Sequence, residues 1–298
     1  MRPYATTIAI WDRPSVRLVF EGVSTPNART GAAIRLARNL LPAIAGDNQR
    51  GALFVQYDDM VHNDILSLGF CRRKGEAPAV QLIPDPSFLN THGYKGLRDA
   101  LNNPTLPPFG ERRDVIFWRG TATNRWRSSS GAPVERLEQV PRVELCLKLR
   151  DINGADAAIC RVWSFQFDSE MAMKWFTDQR IFRPPVSPLE QAQNRYLIDI
   201  DGVANAWGFF EKLLLGSCIL KVDTDYEQWF YGSIAPWQHF VPVRADLSDL
   251  AEKIAWCREH ADEAARIGAR GQAFALASSY EMAQAWLVDA ARQCFIAY

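Results

Sequence analysis

Residues 196–217, YLIDIDGVANAWGFFEKLLLGS, have the pattern of a buried strand, a turn of small residues and a helix. This geometry points several backbone N–H groups and the start of a helix at one place, where a phosphate or diphosphate can bind without a basic residue. The same pattern also occurs at strand–turn–helix corners that bind nothing, so both interpretations stay open. The turn consists of Gly202, Val203, Ala204, Asn205, Ala206 and Trp207.

A second candidate phosphate site lies in residues 117–127, FWRGTATNRWR, where a predicted strand ends in Arg-Gly. Arg119, Arg125 and Arg127 flank a turn at Gly120 and Thr121. Guanidinium groups bind phosphates through paired hydrogen bonds. A solvated basic loop is the alternative. Two such segments in the C-terminal half fit a nucleoside diphosphate better than either does alone.

Two adjacent carboxylates, Asp58 and Asp59, follow the strand predicted over GALFV. A carboxylate at a strand end can take a proton from a hydroxyl group, which is general-base chemistry. Successive side chains of a strand point to opposite faces, so only one of the two can face a given site. Solvated acids in a turn are the alternative.

Metal chemistry is not expected from this sequence. Asp-x-Asp tripeptides occur at residues 199–201 and 223–225, and carboxylates so spaced can hold a divalent metal on a diphosphate. The tripeptide is common by chance, and the four histidines lack metal-ligand spacing. GxSxG, GxGxxG and Walker motifs do not occur in the sequence.

The elements that must position these residues alternate along the chain. We predict strands in TTIAIW, VRLVFEG, GALFVQYDD, AVQLIPDPSF, DVIFWRG, RYLIDIDG and CILKV, and helices in ARTGAAIRLARNLLPAIAG, ANAWGFFEKLLLGS and the segment from residue 280 onward. Alternation of this kind favours an α/β fold with parallel sheets and ligand sites at the strand carboxyl ends.

Domain organisation follows from a segment rich in Pro, Asn and Gly, LNNPTLPPFGERR at residues 101–113. We take it as an inter-domain linker. It predicts a first domain over residues 1–110 and a second over residues 111–279, with the helix at 280–298 packing back on the first.

Composition excludes several classes of protein. Hydrophobic residues make up 48% and charged residues 23% of the 298, which excludes a disordered chain. With 34 basic and 34 acidic residues the formal net charge is zero, so no basic field attracts nucleic acid. No apolar run approaches the roughly 20 residues of a membrane span, and the first residues lack the apolar core of a signal peptide. We expect a cytoplasmic protein whose six scattered cysteines are reduced.

The residues quoted above also carry a resemblance. The segment YLIDIDGVANAWGFFEKLLLGSCILKV, followed by YEQWFYGSIAPWQHFVPVRADLSDL, resembles glycosyltransferase family 90. FWRGTATNRWR is similar to the aromatic–Arg–Gly–Ser/Thr segment of that family, and ARIGARGQAF is similar to its penultimate helix. The family contains protein O-glucosyltransferases, capsule-associated xylosyltransferases and bacterial lipopolysaccharide-modifying transferases.

The resemblance implies a GT-B fold, with two Rossmann-like domains whose parallel sheets face a central cleft. It implies an inverting transfer from a UDP-sugar that needs neither metal nor cofactor. The family base lies at a strand end of the first domain, where Asp58 is the best match and Asp59 the alternative. Residues 84–94 are similar to the acceptor-side segment, with His92 and Tyr94. Thr121 and Arg127 match donor-contacting positions of the family, and Val203, Ala204, Asn205, Ala206 and Trp207 match the turn whose backbone holds the diphosphate. The predicted donor-binding set also includes Arg119, Gly120, Gly202 and Lys212.

The chain departs from the family at two positions. Some members have Arg where this chain has Gly208, and Lys near Phe210. Stabilisation of the leaving diphosphate must then depend more on Arg127, Arg119 or Lys212.

The chain is also compact and has no secretory or retention sequence, which predicts a bacterial-type enzyme acting on lipopolysaccharide or another surface glycan. We expect it in the cytoplasm, with at most peripheral association with the inner face of the membrane. Two alternatives remain: a metal-dependent transferase that uses residues 223–225, and a catalytically inactive protein that binds sugar nucleotides.

Overall fold

The computed structural model describes residues 6–12, 15–21, 28–46, 50–56, 66–75, 79–102, 106–123, 128–129, 131–163 and 167–298. In chain order the strands and helices are β1 (Thr6–Asp12), β2 (Ser15–Glu21), α1 (Ala28–Ile44), β3 (Arg50–Gln56), β4 (Ser67–Gly69), β5 (Arg72–Arg73), β6 (Val80–Leu82), α2 (Pro86–Asn90), α3 (Lys95–Leu101), β7 (Arg113–Thr123), α4 (Pro141–Leu149), β8 (Ala155–Trp163), α5 (Ser169–Asp178), α6 (Pro188–Gln191), β9 (Asn194–Asp199), α7 (Phe209–Leu214), β10 (Cys218–Val222), β11 (Tyr226–Glu227), β12 (Val241–Val243), α8 (Leu250–Glu259), α9 (Ala261–Ala277), α10 (Tyr280–Cys294) and β13 (Ile296–Ala297).

The chain divides into two compact units. Unit 1 comprises Met1–Lys95, Asp225–Ser233 and Ser278–Tyr298, and unit 2 comprises Gly96–Thr224 and Ile234–Ala277. The predicted boundary after residue 110 therefore differs from the structure, which divides the chain after Lys95.

Contacts within each unit explain this division. The predicted linker belongs to unit 2 because the Arg112 guanidinium donates hydrogen bonds to the Leu215 carbonyl at 2.9 Å and to Ser217 Oγ at 3.1 Å. Residues 225–233 join unit 1, where β11 pairs with β5.

Unit 1 is built on a mixed sheet with the strand order β2-β1-β3-β4-β6, and β13 also pairs with β3. The pairs β3–β4 and β4–β6 are parallel, whereas β1 is antiparallel to both β2 and β3. The expectation of an all-parallel first sheet is therefore wrong. Only two residues separate β1 from β2, and a parallel pair needs a crossover of a dozen or more. Helix α10 packs against α1 and against β3, β4 and β6.

Unit 2 is built on a five-stranded sheet with the order β12-β10-β9-β7-β8, and all its pairs are parallel. This agrees with the predicted parallel α/β architecture. Every residue of β10 is buried, as expected for a central strand of a parallel sheet covered on both faces. The carboxyl ends of β7, β9 and β10 lie at the same edge of this sheet.

Several elements of unit 2 have no counterpart in the sequence-based prediction, among them β8, α5 and α6. Helix α7 was predicted but is shorter than expected, because the helix begins at Phe209 and the residues from 202 to 208 are not helical. None of the helices in the described ranges combines the length and the apolar character that a membrane crossing requires.

Candidate functional site

The carboxyl ends of β7 and β9 are tied together by one arginine from α4. The Arg142 guanidinium donates hydrogen bonds to the backbone carbonyls of Thr121 at 3.0 Å, Ile200 at 3.1 Å and Asp201 at 3.0 Å. These carbonyls lie at or just beyond the ends of the two strands. A planar guanidinium carries five N–H donors, so it can bind these three carbonyls at once. These hydrogen bonds hold the end of β9 against β7 at the point where the turn begins.

Gly202 begins the turn because no side chain fits there. A Cβ atom at this position would lie 2.8 Å from Thr123 Oγ1 and 3.1 Å from Arg142 Nη2. Glycine therefore lets the turn pass directly over the end of β7. This close approach brings the described end of the predicted segment 117–127, at Thr123, next to the predicted phosphate-binding turn at residues 202–207.

Asp201 sets the shape of the turn. Its Oδ1 accepts a hydrogen bond from the Ala206 backbone N–H at 3.1 Å, and its Oδ2 accepts one from the Thr224 hydroxyl. The Ala206 N–H, one of the predicted diphosphate donors, is therefore already engaged. Trp207, the last residue of the predicted turn, is half-buried.

Several polar groups of the turn have no partner. No described group accepts a hydrogen bond from the backbone N–H groups of Val203, Ala204 or Asn205. The Asn205 carboxamide and the Thr123 hydroxyl are also buried without a partner among the described residues. Each unsatisfied buried group costs about 1–3 kcal/mol, so a ligand that offers acceptor oxygens to these donors would gain that free energy.

Four charged side chains form a cluster at the end of β9, of which Asp199, Asp201 and Lys221 are buried and Lys212 is partly buried. Lys212 Nζ lies 2.6 Å from Asp199 Oδ1, and Lys221 Nζ lies 3.0 Å from Asp199 Oδ2 and 3.5 Å from Asp201 Oδ1. Burial alone raises the pKa of the Asp199 carboxyl, but the two ammonium groups outweigh burial and hold that pKa below its usual range. The charges of this cluster cancel.

The cluster changes the interpretation of two predicted features. Lys212, predicted to contact the donor, is engaged by Asp199. The carboxylates of the first Asp-x-Asp tripeptide are engaged by lysines and Thr224. In the second tripeptide, Asp223 is exposed and accepts a hydrogen bond from the Thr224 backbone N–H. Among the described residues there is no group of three or more His, Cys, Asp or Glu side chains placed to hold a metal.

Arg119 lies on β7 but its side chain is engaged away from the turn. Its Nη2 lies 3.0 Å from both carboxylate oxygens of Asp156, and the guanidinium stacks 4.9 Å from the centre of the Phe117 ring. Asp156 pairs in register with Phe117, two residues before Arg119, so the side chain points back along the strand. At Gly120 a Cβ would lie 2.5 Å from the Trp118 ring, and the register with β8 shifts after this residue.

The predicted acceptor-side residues lie in unit 1. His92 and Tyr94 both adopt positive φ, 51° and 61°, on either side of Gly93 at 70°. His92 is exposed, with its ring 5.2 Å from that of Tyr280, whereas Tyr94 is buried and packs edge-on against Phe88. Non-glycine residues rarely adopt this conformation.

Three predicted residues lie outside the described part of the chain: the base candidates Asp58 and Asp59, and the donor contact Arg127. Arg125 lies there as well.

Sequence reasoning missed Arg142 and Lys221. Lys221 had a usable signal, since a lysine inside the apolar strand CILKV must find an anion when it is buried. Arg142 had none, because its partners are backbone carbonyls far away in the sequence.

Comparison with protein families matches residues 94–284, more than half of the chain, to the family described as glycosyl transferase family 90. Protein O-glucosyltransferase 2 of Danio rerio is 34% identical over 195 residues, which cover 63% of this chain and 34% of that protein. Protein O-glucosyltransferase 1 of Rattus norvegicus is 32% identical over 176 residues, which cover 59% of this chain and 40% of that protein. The matched segments thus span well under half of these relatives.

Among solved structures, Anabaena Alr3699/HepE in complex with UDP-glucose aligns with a TM-score of 0.45 and 13% identity. The alignment covers 72% of this chain and 58% of that one.

Proposed function

The chain belongs to glycosyltransferase family 90, and from this premise we propose that it transfers a sugar from a UDP-sugar to a hydroxyl group of a glycan acceptor. The observation that carries the proposal is the turn after β9, where the N–H groups of Val203, Ala204 and Asn205 have no acceptor among the described residues. A diphosphate supplies the acceptor oxygens that these donors need, and hydrogen bonds to an ionised acceptor are about twice as strong as neutral ones. The turn lies at the carboxyl edge of the parallel sheet, which is where ligands of α/β folds bind.

The proposed reaction is a single displacement. Asp58, or Asp59 in its place, takes the proton of the acceptor hydroxyl, whose oxygen attacks the anomeric carbon. UDP leaves from the opposite face, so the configuration inverts. Negative charge develops on the leaving diphosphate, and fixed N–H donors aimed at it stabilise the transition state. Arg127 is proposed to add a guanidinium to these donors.

The proposal includes the GT-B arrangement, with the donor on unit 2 and the base from unit 1. It also includes independence from metal ions. Two observations support this last point. Asp199 and Asp201 are engaged by Lys212 and Lys221, and Asp223 is exposed and accepts a hydrogen bond from the Thr224 backbone.

The acceptor is proposed to be a glycan of lipopolysaccharide or of another surface polysaccharide. The enzyme is proposed to act in the cytoplasm or at the inner face of the membrane. The basis for the proposed acceptor is the family resemblance.

Calorimetric titration with UDP, and UDP release from a panel of UDP-sugars, test the proposal. We expect UDP to bind, and Arg127→Ala to lower turnover about a hundredfold or more, as loss of one transition-state donor does. Asp58→Asn should abolish transfer and keep UDP affinity. If Asp59→Asn does so instead, Asp59 is the base.

Two outcomes favour the alternatives. Loss of turnover in EDTA with rescue by Mn²⁺ would make the enzyme metal-dependent. UDP binding without UDP release in the presence of any acceptor would make the protein an inactive binder.

A further inference from the structure

The carboxamide of Asn205 is a buried polar group without a hydrogen-bond partner among the described residues. The residue is 3% exposed, and neither Oδ1 nor Nδ2 has a hydrogen-bond partner in the part of the chain that the structure describes. Such groups are rare in folded proteins because each costs about 1–3 kcal/mol. By contrast, the side chain of Asp201, just before the turn, is satisfied, since both of its carboxylate oxygens accept hydrogen bonds.

Other polar groups without a described partner lie close to the Asn205 carboxamide. The backbone N–H groups of Val203, Ala204 and Asn205 have no described acceptor, and the buried Thr123 hydroxyl beside Gly202 has no described partner. The unpaired groups therefore cluster around one turn, which is typical of a site that a ligand completes.

The chemistry of the amide restricts what that ligand group can be. A carboxamide presents an acceptor oxygen beside two N–H donors. A phosphate only accepts, so it would satisfy Nδ2 and leave Oδ1 unpaired. A hydroxyl both donates and accepts, so two hydroxyls on neighbouring carbons can satisfy Oδ1 and Nδ2 together.

We propose that the Asn205 carboxamide binds a vicinal diol of the sugar nucleotide, on its ribose or on the transferred sugar. The inference rests on the proposed function. It gives the turn a second role, in which the Asn205 side chain binds hydroxyl groups while the backbone binds the diphosphate. Asn205 is then a residue that selects the donor, whereas the backbone of the same turn binds any diphosphate.

The test measures the affinities of wild type and Asn205→Ala for UDP, 2′-deoxy-UDP, UDP-glucose, UDP-galactose and UDP-xylose by calorimetry. Melting temperatures without ligand are measured alongside. Asn205→Ser is a second variant, in case the first does not fold. Asn194→Ala is the matched control, because Asn194 is a buried asparagine at the other end of β9 whose Nδ2 donates to the Gln191 carbonyl at 3.0 Å.

We expect Asn205→Ala to melt no lower than wild type, since it removes no hydrogen bond of the free protein. Asn194→Ala should melt lower and keep its nucleotide affinity. If the diol is that of the ribose, the variant binds UDP and the UDP-sugars about tenfold more weakly, and 2′-deoxy-UDP, which keeps only one hydroxyl of the pair, loses less affinity than UDP does. If the diol belongs to the transferred sugar, UDP affinity is unchanged and only affinity for the UDP-sugars falls.

The inference is overturned if every nucleotide binds the variant as it binds wild type. It is also overturned if 2′-deoxy-UDP loses as much affinity as UDP and the UDP-sugars, because the contact is then to phosphate or to the uracil ring and not to a diol. These results leave the proposed function intact. Failure of wild type to bind UDP or any of the UDP-sugars would overturn the proposed function together with this inference.

Discussion

At the scale of single residues, the most consequential feature is the neutral cluster of Asp199, Asp201, Lys212 and Lys221. Buried ion pairs contribute little net stability, because desolvation of the charges opposes their attraction. Removal of one partner is different, since it leaves an uncompensated charge in a low-dielectric interior. The cluster also connects stability to the site, because Asp201 holds the turn through the Ala206 N–H.

Replacing the central carboxylate should therefore be costly. We expect Asp199→Asn to lower the free energy of unfolding by about 3–5 kcal/mol, because Lys212 and Lys221 lose their shared anion. Urea denaturation measures the change. Asp178→Asn is the control, since Asp178 pairs with Lys174 at 2.9 Å with side chains 58% and 79% exposed, and it should cost less than about 1 kcal/mol. Equal losses in the two variants would contradict the buried-cluster account.

Wild type and Asp199→Asn should also differ in how their stability depends on pH. The pKa of Asp199 is lower in the folded protein than its usual value, so its carboxylate contributes stability above the unfolded pKa of about 3.9. That contribution is lost as the pH falls through the folded value, whereas the carboxamide that replaces it in the variant does not titrate. We therefore expect the stability difference between the two proteins to be constant near neutral pH and to shrink below about pH 4. A difference that does not change down to acid unfolding would contradict the assignment.

At the scale of elements, the turn between β9 and α7 combines close packing with unsatisfied donors. Its shape depends on β7, through Thr123, and on α4, through Arg142. A short turn held by two neighbouring elements keeps its N–H groups in place before the ligand arrives, and such a site needs little reorganisation when it binds.

A methyl group at the start of this turn should disturb it. We expect Gly202→Ala to weaken UDP binding at least tenfold, because its Cβ would lie 2.8 Å from Thr123 Oγ1 and would displace the turn. Gly208→Ala is a matched control at the end of the same turn, where a Cβ would meet nothing within 4 Å, and it should bind UDP as wild type does. Calorimetry gives the affinities, and melting curves verify that both variants fold. Equal UDP affinities in the two variants would show that the start of this turn does not contribute to nucleotide binding.

The elements around the turn were partly predictable from sequence. Apolar runs such as CILKV and YLID identify buried parallel strands, and Gly202 marks the turn between strand and helix. Helix α7 was predicted to begin several residues too early, because ANAW has good helix formers but Asp201 captures the Ala206 N–H and holds the segment as a turn. The charge cluster and Arg142 could not be placed, since their partners come together only when the strands pair.

At the scale of the whole molecule, the chain passes between the two units more than once. Residues 225–233 and 278–298 return to unit 1, where β11 pairs with β5 and α10 packs on α1. Unit 1 therefore needs the end of the chain, whereas the candidate donor site is built entirely from unit 2. A ligand stabilises the part of a protein that binds it.

Because the candidate donor site lies in unit 2, we expect UDP to slow hydrogen exchange in unit 2 and not in unit 1. Leu214 in α7 and Leu287 in α10 are buried in units 2 and 1, and replacing either with Ala should cost about 2–5 kcal/mol. At a UDP concentration 100 times its Kd, binding adds about 2.7 kcal/mol to the unit that holds it. Hydrogen exchange should therefore slow with UDP around β9 and β10 in Leu214→Ala, while exchange in α1 and β3 of Leu287→Ala stays fast. Protection of α1 and β3 by UDP would show instead that unit 1 holds the nucleotide.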